Sequence, residues 1–254
     1  VKKHRSRLQR RLVLVAVAST LSLPLAVSAQ AGGDGFLFKQ PYASFGIWGG
    51  YALAQAGSEV FDFASEHLTI DKNDFASSAW GAELSVRATE RLDIAAGVGL
   101  THTSTRSEFR NYVGESDDLA IEQTTEFTRV PVTLSAKWYL RDRGRSVSRF
   151  VWIPERWTPY VGAGGGVVWS RFVQDGDFVD FETFDVFASQ LESEGTTGTA
   201  HVFSGVDISL STKVVLTGEG RYSWGKMAMG QDFRDFDSID LSGFQATVGL
   251  SLRF

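Results

Sequence analysis

Between residues 42 and 254, apolar and polar side chains alternate with a period of two, the mark of strands with two unlike faces. The last stretch is the cleanest. Phe244, Ala246, Val248, Leu250, Leu252 and Phe254 share one face, and Gln245, Thr247, Gly249, Ser251 and Arg253 share the other. The same alternation recurs from Trp80 to Ala88, Leu92 to Thr101, Thr128 to Trp138, Val202 to Leu210 and Val214 to Trp224. Two glycine-rich stretches, 43–53 and 159–172, complete eight predicted strands. Between them lie long segments (54–74, 105–123, 173–197 and 226–240), and on the other side the tight turns Thr89–Arg91 and Ser211–Lys213. The connection 141–157 is longer than its position in the scheme requires.

An even number of strands, with loops on one side and turns on the other, predicts an all-β fold: an eight-stranded antiparallel up-and-down transmembrane β-barrel. In a soluble barrel the continuous apolar face points inward. Here the other face of each strand holds the charges, so the apolar face is expected to meet lipid. Large aromatics sort by strand end. Trp80, Trp169 and Trp224 fall at the loop end, and Trp138, Tyr139, Tyr160 and Phe254 at the turn end. This predicts two interfacial girdles.

The inward phase then holds four acids, Glu83, Asp93, Asp207 and Glu219, against five bases, Arg87, Arg129, Lys137, Arg221 and Arg253. The interior of eight strands has room only for side chains. A near-balanced set predicts mutual pairing and a plugged bore, with a conducting path as the rival reading. Pro131 removes a ladder hydrogen bond in mid-strand, so a bulge or irregularity is expected there. Gly162, Gly164, Gly165 and Gly166 point to a sharp bend or a bulky neighbour inside the barrel.

The two ends differ in charge. Asp175, Asp177, Asp180, Glu182 and Asp185 crowd the third long segment, and Asp232, Asp235, Asp237 and Asp240 the fourth. Arg141, Arg143, Arg145, Arg149 and Arg156 lie on the turn side. The acidic rim suits divalent cations bridging lipopolysaccharide phosphates, or a cationic extracellular ligand. It lacks the spacing of a calcium loop, so no metal site is assigned, and no cofactor is implied. Phe181, Phe184, Phe187 and Leu191 recur every three to four residues and predict a short amphipathic helix over the mouth.

Composition removes several classes. There is no cysteine among the 254 residues, so disulfide frameworks, Cys-ligated zinc and thiol catalysis are excluded. Past the N-terminus no run of ~18 apolar residues suggests a spanning helix. That terminus reads as a secretory signal peptide over residues 1–29: six Lys/Arg, the apolar run Leu12–Val27 and a cut after Ala29 or Ala31. Residues 30–41 would form a periplasmic lead-in and 42–254 the barrel. Residues 1–29 hold six of the 25 Lys/Arg and none of the 30 acids, leaving a net −11, which disfavours a nucleic-acid partner.

The ending Val248-Gly249-Leu250-Ser251-Leu252-Arg253-Phe254 resembles the C-terminal signature of Gram-negative outer-membrane proteins. Pro159-Tyr160-Val161-Gly162-Ala163-Gly164-Gly165-Gly166 resembles a recurring strand of the small porin-like outer-membrane β-barrel family (OmpA-, OmpX- and OmpW-like). The resemblance spans roughly Tyr42 to Phe254 and implies an outer-membrane location, with Phe254 as the signal read by the barrel-assembly machinery. It implies a structural, binding or minor pore role. An OmpW-like small-molecule channel is one alternative, and adhesion or ligand binding through the acidic loops another. A remote enzyme reading rests on His102, Ser104 and Glu126, which resemble the catalytic set of outer-membrane lipid A deacylases: base, hydroxyl nucleophile and orienting acid.

Overall fold

Alternating β-branched or aromatic residues with Gly, Ser and Thr make strands whose two faces differ in bulk as well as polarity, and this chain is built from them. The computed structural model describes residues 35–113, 120–180, 183 and 185–254, and of residues 111–113 the backbone alone. The signal peptide with its two cleavage sites, and Glu182, fall outside the described residues. The strands are β1 (Ala43–Ala54), β2 (Ser77–Arg87), β3 (Leu92–Val113), β4 (Ala120–Tyr139), β5 (Gly144–Ser148), β6 (Val151–Pro154), β7 (Trp157–Val179), β8 (Val186–Ser209), β9 (Val214–Met227), β10 (Ile239–Asp240) and β11 (Gly243–Arg253). One α-helix, α1, covers Glu59–His67.

Eight of these strands ring round, all antiparallel, in the order β1-β2-β3-β4-β7-β8-β9-β11 and back to β1. Successive partners starting at Ala43 are Val86, Ile94, Ala136, Ala163, Val202, Tyr222, Phe244 and then Leu53 of β1. One circuit therefore climbs ten residues, which at ~3.3 Å rise and ~4.7 Å strand spacing tilts the strands by about 40°. Pro131 produces no bulge. The β3–β4 register is the same below it, Val98 opposite Val132, as above it, Thr101 opposite Arg129. The ladder merely skips the pairs between, because the missing N–H removes bonds without adding a residue. The register shift lies higher, between Glu108 and Val113.

Strands β3, β4, β7 and β8 run 22, 20, 23 and 24 residues, about twice the 9–11 that cross a bilayer. Much of the sequence expected as loop at 105–123 and 173–197 is strand. The reason is a reversal of faces. Above the apolar band, Phe109, Ile121, Phe127 and Phe172 turn inward and are buried, while Arg106, Glu108 and Arg110 turn outward. An outward apolar face no longer exists there to signal a strand.

Phe181 and Phe184 lie outside the described residues, and the described part of 181–191 does not form the expected helix. From Val186 the chain is β8, hairpinned on β7, and Phe187 stacks on Phe178 at 6.0 Å. Its apolar residues follow cross-strand neighbours rather than a helical stripe. The helix lies instead after β1. Val60, Phe61 and Ala64 of α1 are buried, and Phe61 meets Phe75, Phe127 and Phe172 edge-on at 4.7, 5.7 and 6.0 Å. A short 3-10 turn, Gln231–Phe233, adds Phe233 against Phe172 at 5.5 Å. Together these residues form an apolar core packed on the inner side of the tall strands.

At the other end, β5 and β6 pair as a hairpin. Trp152 is buried there and exchanges backbone hydrogen bonds of 2.8 Å with Leu37 of the lead-in.

Candidate functional site

The outer face is apolar over the central band. Ile47, Leu84, Val98, Leu134, Val202, Val248, Leu250 and Leu252 are all exposed. They point away from the bore, and such a continuous surface is stable against acyl chains rather than water. Trp80, Trp169 and Trp224 border it at the loop end, and Trp138, Trp157 and Phe254 at the turn end, all exposed. Trp157 and Trp169 lie on one strand about 40 Å apart along it, or about 30 Å along the axis after tilt, the thickness of the hydrocarbon core of a bilayer. Tyr139 and Tyr160 are not in the girdle. They are 4% and 1% exposed and lie inside the barrel. Parity decides it: Tyr139 follows the inward Lys137 by two, and Tyr160 precedes the inward Gly162 by two.

Those two tyrosines belong to the charge network. Asp207 accepts from Tyr139 Oη at 3.0 Å, from Thr217 Oγ1 at 2.8 Å and from Lys137 Nζ at 3.4 Å. Lys137 Nζ also sits 3.7 Å from the centre of the Tyr160 ring. Glu219 accepts from Tyr160 Oη at 2.9 Å and from Arg221 Nη2 at 2.9 Å, and Arg221 reaches Glu83 at 3.7 Å. Asp93 is held by Arg143, whose Nη1 lies 2.7 Å from both carboxylate oxygens. In the sequence Arg143 is one of the basic residues of the turn side. The β5–β6 hairpin carries it back over the barrel end, a contact no local pattern announces. Arg253 donates to Ser209 Oγ at 3.0 Å. Arg87 Nη1 is buried with no hydrogen-bond partner among the described residues. Arg129 stands apart, nearer the mouth. Lys137, Asp207, Asp93, Glu83, Glu219 and Arg221 thus sit in ion pairs inside the bore.

Each acid in the bore answers a base or a phenol, which is the condition for burying charge at tolerable cost. The glycines of β7 make room for their neighbours. A Cβ on Gly164 would lie 2.8 Å from His201 Nε2, and one on Gly162 would strike Phe203. His201 in turn pairs with Ser135 Oγ at 2.8 Å.

The Trp48 ring points into the bore and lies over Gly81 of β2 and Gly99 of β3. Side chains of Trp48, Glu83, Arg221 and Gln245 separate a lower cavity of about 70 Å³ from an upper one of about 80 Å³. Each is large enough for a handful of waters. Arg143 and Trp152 line the bottom of the lower cavity, and Leu241 borders the upper one beneath the apolar core.

The residues of the enzyme reading lie on the outer face above the band. Ser104 is opposite Glu126, and His102 is opposite Thr128, whose Oγ1 takes the 2.8 Å bond to His102 Nδ1. The register therefore gives the imidazole a threonine partner in place of the serine. Of the acidic loop, Asp175, Asp177 and Asp185 are exposed, and Asp180 Oδ1 accepts from the backbone N–H of Thr183 at 3.2 Å.

A ring of tilted antiparallel strands, apolar and aromatic-bordered outside and ionic within, defines a β-barrel of the outer-membrane type. No protein-family model matches the chain, and no curated protein matches it. Among solved structures it is similar to the outer-membrane protein OprG of Pseudomonas aeruginosa, at 12% identity and a TM-score of 0.46, covering 86% of this chain and 99% of that one. It is also similar to Neisserial surface protein A, at 14% identity and TM-score 0.43 over 84% and 97% of the two chains. The Escherichia coli outer membrane protein W follows at 18% and 0.36 over 85% and 100%. The class itself rests on the register and the two faces.

Proposed function

We propose that this is an integral outer-membrane protein of a Gram-negative envelope whose bore is sealed, and whose role is structural or binding at the cell surface. The observation that carries it is the ionic network spanning the bore: Lys137, Tyr139, Asp207 and Thr217 on one side of Trp48, with Glu83, Tyr160, Glu219 and Arg221 beside them. Opening a path needs several buried charges to lose partners at once. Residues 1–29 would direct export, and N-terminal sequencing of the envelope form should begin at Gln30 or Gly32. Phe254 would serve the barrel-assembly machinery. Its backbone N–H and C=O already bond Ala43, joining the last strand to the first. Acyl chains and lipopolysaccharide would contact the apolar band and its outer rim. The exposed acids Asp175, Asp177 and Asp185 favour a cationic ligand over an anionic one at the tip.

Reconstitution into planar bilayers tests the sealed bore. The wild type should give no discrete conductance at neutral pH. Regular single-channel steps would replace this reading with that of a small-molecule channel.

A further inference from the structure

A small sheet lies below the bore. β6 pairs with β5 on one side and, through Trp152, with Leu37 of the lead-in on the other. Partners in an antiparallel pair project to the same side. Trp152 lines the lower cavity, so Leu37 and Ser146 share its bore-facing side. Alternation then puts Phe36, Phe38, Val151, Ile153 and Arg145 on the opposite side, away from the bore. The rings of Phe36 and Phe38 meet edge-on there at 5.8 Å. Phe38 is 41% exposed, and at the hairpin tip Val147 and Phe150 are each 62% exposed.

The outer edge of this sheet is also open. The Glu155 N–H donates to the Arg143 carbonyl at 2.9 Å, and Trp152 spends its N–H and C=O on Leu37. Backbone groups alternate in direction along an antiparallel strand, so Gly144 and Ser146 turn theirs to the side of β5 that has no strand. No described residue bonds them. The surface is basic. Of the acids at this end, Asp93 and Asp142 are taken by Arg143 and Arg91. That leaves Glu90 and Glu155 against Lys39, Arg145, Arg149 and Arg156, all four exposed and in no ion pair among the described residues.

We propose that this face docks an extended acidic segment of a periplasmic protein, added as a strand beside β5. Its carboxylates lie opposite Arg145 and Arg149, and the body of the partner covers Phe38 and Ile153. The occupant is a polypeptide because another backbone is what satisfies a row of N–H and C=O groups. A second copy of the chain would bring bases against bases. Annular lipid surrounds the wall, whereas this face looks away from the end of the bore. Which compartment the partner occupies rests on the outer-membrane reading above; binding to the barrel in neutral detergent does not, so the two fail separately.

The probe is a short fluorescent peptide of alternating glutamate and valine, titrated by anisotropy against the full barrel in neutral detergent. Saturable binding is expected, weakening as sodium chloride is raised. Arg145→Glu with Arg149→Glu should bind about tenfold more weakly, while Asp175→Ala with Asp177→Ala, at the opposite end, should match the wild type. The same peptide with lysine for glutamate, or N-methylated at every amide, should not bind. No saturable binding by the wild type overturns the proposal, as does equal binding of the lysine or N-methylated peptide, even if the arginine variant does not fold. The chain has no cysteine, so Ser148→Cys takes a single fluorescent label. In bilayers that label should escape quenching by brominated phosphatidylglycerol. Strong quenching would place the face in the lipid leaflet and overturn the docking of a protein there.

Discussion

At the scale of single residues, the bore shows why buried charge is tolerated here. Asp207 has three donors, from Lys137, Tyr139 and Thr217. Removing it strands a buried ammonium and two hydroxyls together. Asp207→Ala should cost about 3–5 kcal/mol, read as a lower urea midpoint of the folded form in detergent. The double variant Asp207→Leu with Lys137→Met should recover part of that loss, because it removes the orphaned charge. A double variant no more stable than the single would show that the tyrosine and threonine bonds carry the energy. Tyr139 and Tyr160 were legible in the sequence by parity alone, but position near a strand end suggested the interface instead. A residue's face is decided by its register with Lys137 or Gly162, not by its height.

At the scale of elements, the tall strands and α1 form a second core outside the membrane band. Phe61 is its centre, touching Phe75, Phe127 and Phe172. Phe61→Ala should destabilise this packing by about 3–5 kcal/mol without touching the ring of strands below. Limited proteolysis should then cut within residues 55–76, while the remainder keeps its heat-modifiable migration on gels. Loss of that migration would mean that the upper core is needed for the barrel itself. Val60, Phe61, Ala64 and Leu68 have helical spacing, but the segment is short and lies between two strong strand signals, so its period does not stand out from a long loop. Conversely, Phe181, Phe184, Phe187 and Leu191 matched a helical period, yet β8 pairs with β7 through Val186. Cross-strand partners outweigh local periodicity where a long hairpin is available.

At the scale of the whole molecule, the outer apolar band and the sealed interior lead to two expectations. The purified protein should stay dispersed only in detergent or lipid, since Ile47, Leu134, Leu250 and Leu252 are exposed on the outer face. A stable monomer in plain buffer would contradict a lipid-facing band. Removing the partition between the two chambers, with Trp48→Ala and Arg221→Ala together, should produce discrete channels in planar bilayers where the wild type gives none. Silence from a correctly folded double variant would place the seal at the mouth core or the β5–β6 hairpin instead.

What the chain alone determined was the number of ring strands, which face of each meets lipid, and which charges turn inward. Those follow from a two-residue period, a local property that any stretch displays by itself. Tertiary structure alone decided that Arg143 answers Asp93, that Trp48 lies between two cavities of the bore, and that the strands continue far beyond the band. Each depends on residues brought together by ring closure and shear. Above the band the surroundings change from lipid to water, so the apolar side of the same strand turns inward, and the outward apolar face that signals a membrane strand is lost.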